Sequence, residues 1–98
     1  MNNFTEQYKN IIIPIVLKYL PACKIILYGS RARGDFKEGA DIDVALDNGH
    51  VIDNLVFSKI VGDMEESTLP IKFDLVDFWS VSETMQKEIM KDGIIWKK

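Results

Sequence analysis

Apolar side chains recur every three to four positions at the start of the chain: Phe4, Tyr8, Ile11/Ile12, Ile15/Val16 and Tyr19/Leu20. That spacing predicts a helix over residues 4–20 with one buried stripe. Pro14 removes a backbone donor in mid-helix, so a kink or a split is expected there, and Pro21 ends the element. Lys24 to Tyr28 is short, rich in apolar and β-branched residues, and bounded by Pro21 and Gly29, which predicts a strand buried on both faces. Asp41 to Leu46 alternates polar and apolar residues before the Asp47-Asn48-Gly49 turn, predicting a second strand. Positions 52, 56, 60 and 64 repeat at helical spacing, with 55 and 57 widening the face, so a helix is predicted over Val51–Met64. Ile71 to Phe78 reads as a third strand with Asp74 in its middle. Ser80 and Glu83 have the spacing of a capping box, and Val81, Met85 and Ile89 continue a helix that Gly93 closes. Ile94-Ile95-Trp96 predicts a short edge strand. The order α-β-(short α)-β-α-β-α-β implies an α/β (α+β) fold, a small mixed β-sheet with helices packed on it.

A length of 98 residues suits one domain, 1–98, with one core. Hydrophobic residues make up 47% and charged residues 28%, which excludes a disordered or fibrous chain. The longest apolar run, Ile11 to Leu17, contains Pro14 and falls far short of the roughly 20 residues of a membrane helix. The first residues have no basic segment followed by an apolar core, so neither a signal peptide nor a membrane is expected, and the expected location is cytoplasmic. Cys23 stands alone, without a disulfide or metal-ligand companion, and His50 has no spaced carboxylate or Cys beside it. A net charge of −3 argues against a sequence-independent grip on nucleic acid. Any polyanion bound here is expected to be small.

Charge and glycine concentrate in Gly29 to Asp43, "GSRARGDFKEGADID". Residues two apart on a strand share a face, so the carboxylates of Asp41 and Asp43 project together and repel. A hard cation such as Mg²⁺ relieves that repulsion while keeping positions open for substrate phosphates. Gly29-Ser30 follows the first strand and opens the next helix, where free N–H groups at an N-cap Ser30 suit a phosphate. Gly29 and Gly34 have the separation of a Walker loop, but Asp35 and Phe36 stand where Lys and Ser/Thr belong, which excludes it. Asp74 interrupts an apolar strand; if that strand lies beside the second, it joins the same acidic cluster, as two-metal phosphoryl transfer requires. Asp77, three residues on, points to the opposite face.

Gly29-Ser30, ten intervening residues, then Asp41-Ile42-Asp43 and a later Asp74 resemble the DNA polymerase β-like nucleotidyltransferase superfamily. More narrowly, "LYGSRARGDFKEGADIDVAL" in so short a chain looks like the minimal nucleotidyltransferases, the MNT half of HEPN/MNT toxin–antitoxin pairs. The resemblance runs from the leading helix to the "DGIIW" ending. It implies a polymerase β-like fold with Asp41, Asp43 and Asp74 as catalytic, metal-binding carboxylates. Gly29 and Ser30 become triphosphate contacts, with Arg31 and Arg33 as further candidates for phosphate charge, Arg31 ranked first. The implied reaction moves AMP from ATP to a hydroxyl with Mg²⁺, the acceptor being a tyrosine of a HEPN toxin encoded nearby, so that the chain is an antitoxin AMPylase. The alternative is a catalytically idle module that neutralises its HEPN partner by contact. Ala40 departs from the Ser that many relatives carry before Asp-x-Asp, and the usual second domain of larger members is not expected within these 98 residues.

Overall fold

The computed structural model describes residues 5–98; Phe4, the first position of the predicted stripe, and the start of the chain lie outside them. A 3₁₀ turn at Glu6–Tyr8 leads into α1, Lys9–Tyr19. It is followed by β1 (Lys24–Tyr28), α2 (Ser30–Arg33), β2 (Ile42–Asp47), α3 (Asn54–Glu65), β3 (Phe73–Asp77), α4 (Glu83–Asp92) and β4 (Ile94–Lys97). The strands form one sheet in the order β3-β2-β1-β4. β1 runs antiparallel to both β2 and β4, whereas β2 and β3 are parallel and joined through α3. A parallel pair needs such a crossover, and α3 supplies it.

Alternation along β1 feeds two cores. Ile25 and Leu27 face one side with Ile42, Val44, Leu46 and Leu75, where Ile12 and Val16 of α1 and Ile60 and Met64 of α3 cover them. Ile26 and Tyr28 face the other side with Ala45, under Phe78 and Ile89. Ile89 is the one fully buried residue of α4, so its truncation to alanine is expected to cost about 2–5 kcal/mol and loosen that helix. Trp96 of β4 joins the first core, while Trp79 is exposed and its indole N–H donates to Asp47 at 2.6 Å.

Several expectations are corrected at element ends. α1 crosses Pro14 without interruption. Proline there deprives only the Asn10 carbonyl of its partner, and Asn10 is exposed to water. α3 starts three residues later than its apolar pattern, because Asp53 caps it by accepting from the N–H groups of Leu55 and Val56. Leu55 consequently faces solvent. The cap of α4 is Ser82, which accepts from the Met85 N–H at 3.1 Å, and not Ser80. Ser80 instead donates its hydroxyl to Asp77 at 2.9 Å, a carboxylate being the stronger acceptor. Among the described residues no helix is long and apolar enough to cross a membrane.

Candidate active site

β1 delivers the chain to Gly29, whose φ of 75° and ψ of −158° lie in a region reserved almost wholly for glycine. Its carbonyl accepts from the N–H groups of Ala32 and Arg33, which starts α2. Gly29 is therefore the cap, and Ser30 is the first helical residue rather than the cap itself. The same glycine lets Asp43 approach. A Cβ added at Gly29 would stand 3.2 Å from Asp43 Cγ, 3.3 Å from its Cβ, and closer still to Oδ2. The acidic strand and the glycine turn are thus fitted to one another by the absence of a single carbon.

Asp43 pairs with Tyr28 across the antiparallel ladder and with Asp74 across the parallel one. Neighbouring strands lie about 4.8 Å apart, so Asp43 and Asp74 share a face side by side, with Asp41 two residues before Asp43. Burial pushes the Asp43 carboxyl above its ordinary range, and the charges of Asp74 and then Asp41 push it further, while Arg33 acts in the opposite sense. Tyr28 lies beside Asp43 on the same face of the sheet, buried, its hydroxyl without a hydrogen-bond partner. Burial, then Asp74 and Asp43, hold that phenol well above its ordinary range. Sequence reasoning missed Tyr28; the available signal was a hydroxyl directly after the apolar run Ile25-Ile26-Leu27.

Three carboxylates and nothing softer form a donor set suited to a hard cation. Among the described residues, however, no three His, Cys, Asp or Glu side chains stand close enough to enclose an ion. The backbone gathers the three positions without drawing their oxygens together. Asp41 and Asp74 are exposed, so their side chains are free to turn. The residues fit a divalent cation by chemistry and by strand register, with Asp43 half-buried and Asp41 and Asp74 exposed.

The structure places the two arginines in different surroundings. Arg31 is buried, donating from Nε to the Ala40 carbonyl at 3.0 Å and from Nη1 to Thr5 Oγ1 at 2.9 Å, with its guanidinium 4.5 Å from the centre of the Phe36 ring. Those partners tie the guanidinium to the backbone one residue before Asp41. Arg33 is exposed, pairs with Asp35 at 3.1 Å and Asp92 at 3.4 Å, and is the arginine whose charge reaches Asp43. Asp77 belongs to the frame: buried, it accepts from the Ile52 N–H at 2.8 Å, the Trp79 N–H at 3.1 Å and the Ser80 hydroxyl. Cys23 is buried and its thiol is pushed up to about 12, first by burial, so it is inert near neutral pH. His50 is exposed, its Nδ1 2.9 Å from the Val51 carbonyl.

A mixed sheet that sets a glycine turn against paired strand carboxylates defines a nucleotidyltransferase domain. Residues 10–97 match the family "Polymerase beta, Nucleotidyltransferase", and the chain belongs to that family. It is similar to the Haemophilus influenzae protein described as "Probable protein adenylyltransferase MntA", at 30% identity over 85 residues, covering 87% of this chain and 75% of that protein. A chain in a crystal structure of a toxin–antitoxin with AMP-PNP superposes with a TM-score of 0.76 at 26% identity, covering 92% of this chain and 73% of that one. A chain from the tri-AMPylated Shewanella oneidensis HEPN toxin in complex with MNT antitoxin shares the fold, with a TM-score of 0.72 at 24% identity over 95% of this chain and 72% of that one. The protein is accordingly an enzyme of the nucleotidyltransferase class.

Proposed function

We propose that this protein, with residues 1–98 working as one domain, moves AMP from ATP to a tyrosine hydroxyl of a HEPN toxin partner and so acts as its antitoxin in the cytoplasm. The observation that carries the reading is the register that sets Asp43 opposite Asp74, with Asp41 two residues earlier and the Gly29 turn against Asp43. Support for the acceptor and partner comes from the adenylyltransferase name of the Haemophilus relative and from the AMPylated HEPN toxin among the similar structures.

In this reading Asp41, Asp43 and Asp74 hold Mg²⁺, which when bound neutralises triphosphate charge and favours the deprotonated acceptor. Gly29 and Ser30 cradle the triphosphate with backbone N–H groups. Arg33 is the arginine able to add positive charge from the surface. Asp74 takes the proton of the acceptor hydroxyl as its oxygen attacks the α-phosphorus. The bond from that phosphorus to the bridging oxygen breaks, and pyrophosphate leaves with the electron pair.

Because the carboxylates stand open, a second reading has the protein neutralise its partner by contact alone. Incubation with the HEPN protein encoded beside it, ATP labelled at the α-phosphate and Mg²⁺ separates the two, with an Asp41→Asn/Asp43→Asn variant in parallel. Label on a tyrosine of the partner that disappears in the variant, and with EDTA, is the expected result. A variant that protects cells fully while no label forms anywhere would establish contact alone.

A further inference from the structure

The sheet order gives the site a direction. The Gly29 turn leaves β1, the paired carboxylates stand on β2 and β3, and β3 is the outer strand on the side of the sheet away from β1 and β4 among the described residues. In phosphoryl transfer the attacking and leaving oxygens lie roughly in line on opposite sides of the phosphorus. With pyrophosphate leaving toward the β1 turn, the acceptor hydroxyl arrives from the β3 side.

An open groove of about 670 Å³ lies on that side. Val61 and Met64 of α3, Leu69, and Phe73 and Leu75 of β3 give it an apolar wall, and Asp41 and Asp74 line it as well. Phe73 and Leu75 point to the sheet face opposite Asp74, so the groove and the reaction centre lie on the two faces of one β3 edge, with residues 41 and 74 at the border between them, and a strand laid along that edge sets alternate side chains into each. Beyond β3 no further strand is paired among the described residues, so its outward N–H and C=O groups face an empty edge. Small-molecule sites enclose most of their ligand, whereas a groove beside a free strand edge suits an extended chain that adds backbone hydrogen bonds and sets alternate side chains into pockets.

We propose that this groove is the acceptor site, and that the acceptor is a polypeptide segment lying extended along the β3 edge, an apolar side chain against Leu69 and its hydroxyl-bearing residue at Asp74. The inference rests on the transfer reaction proposed above and adds where the acceptor lies and in what form.

Its test uses the whole protein with the HEPN partner, read two ways. Hydrogen exchange followed by mass spectrometry, on the partner complex against the free protein, is expected to slow the amides of residues 73–77. Steady-state labelling with Leu69→Arg, which fills the groove, is expected to raise the KM for the partner by about tenfold, roughly 1.4 kcal/mol, while the KM for ATP stays as it was. Leu69→Ser, gentler on packing, should show the same split to a smaller degree, and the exchange measurement needs no variant at all. A rise in the ATP KM instead would assign the groove to the base and overturn the proposal, as would unprotected β3 amides in a complex that is labelled normally. Absence of label with the wild-type protein would remove the transfer reaction itself, and protection of β3 would then still report a bound segment.

Discussion

Replacing Gly29 by alanine perturbs one carbon in two ways. The backbone there, at φ 75° and ψ −158°, is a region that a residue with a side chain occupies at a cost of about 1–3 kcal/mol. The new methyl would also overlap Asp43 Oδ2 and press on Cγ at 3.2 Å, driving the carboxylate off its rotamer for roughly another 1 kcal/mol. The sum is about 3 kcal/mol, which in a domain of this size lowers the melting temperature on the order of 15 °C. Gly34 is the internal control: its φ of 87° and ψ of 5° are also left-handed, but nothing lies within 4 Å of an added Cβ. Gly34→Ala should therefore cost only about 1–2 kcal/mol. Urea denaturation of both variants measures the difference, and labelling of the partner measures its consequence, because displacing Asp43 by about 1 Å is expected to lower the rate on the order of 100-fold. Equal destabilisation of the two variants, or full activity in Gly29→Ala, would refute the proposed fit between turn and carboxylate.

Asp43 gives a pH dependence. Its folded pKa lies above the ordinary 3.8, so the native state holds that proton more tightly than the unfolded chain. This contribution to stability is present below the unfolded value and is lost as pH rises through the folded one; Asp43→Asn should remove that dependence and raise the neutral-pH melting temperature while abolishing transfer. Tyr28→Phe deletes a buried hydroxyl that has no partner, and is expected to stabilise the fold by about 1 kcal/mol in urea denaturation; a loss of stability would mean that the hydroxyl is satisfied in solution. Asp77→Ala should cost about 3 kcal/mol, since three donors lose one acceptor, whereas the exposed Asp74→Asn should change stability by less than about 0.5 kcal/mol. Comparable losses from the two substitutions would contradict the division between frame and site.

Much of the site was legible because it depends on parity along single strands. The two-residue spacing of Asp41 and Asp43 and the bounds of β1 follow from local sterics, as does the opposite facing of Asp77 relative to Asp74. Element ends were less legible because they turn on competition for one hydrogen bond: Asp77 captures the Ser80 hydroxyl, and Ser82 is left to cap α4. The arginines could not be ranked from spacing alone. Their roles depend on which one meets a distant carbonyl and the Phe36 ring, and only folding brings Ala40 and Thr5 to Arg31.

By itself the sequence determined the strands, the helices and the residue types of the acidic candidate site, since alternation and turn chemistry act between near neighbours. Tertiary structure decided that β2 and β3 run parallel with Asp43 opposite Asp74, that Tyr28 is sealed beside Asp43, and that a groove opens beyond β3. Those facts arise from burying two faces of one sheet at once, a constraint that joins residues far apart in the chain and leaves no trace in local spacing.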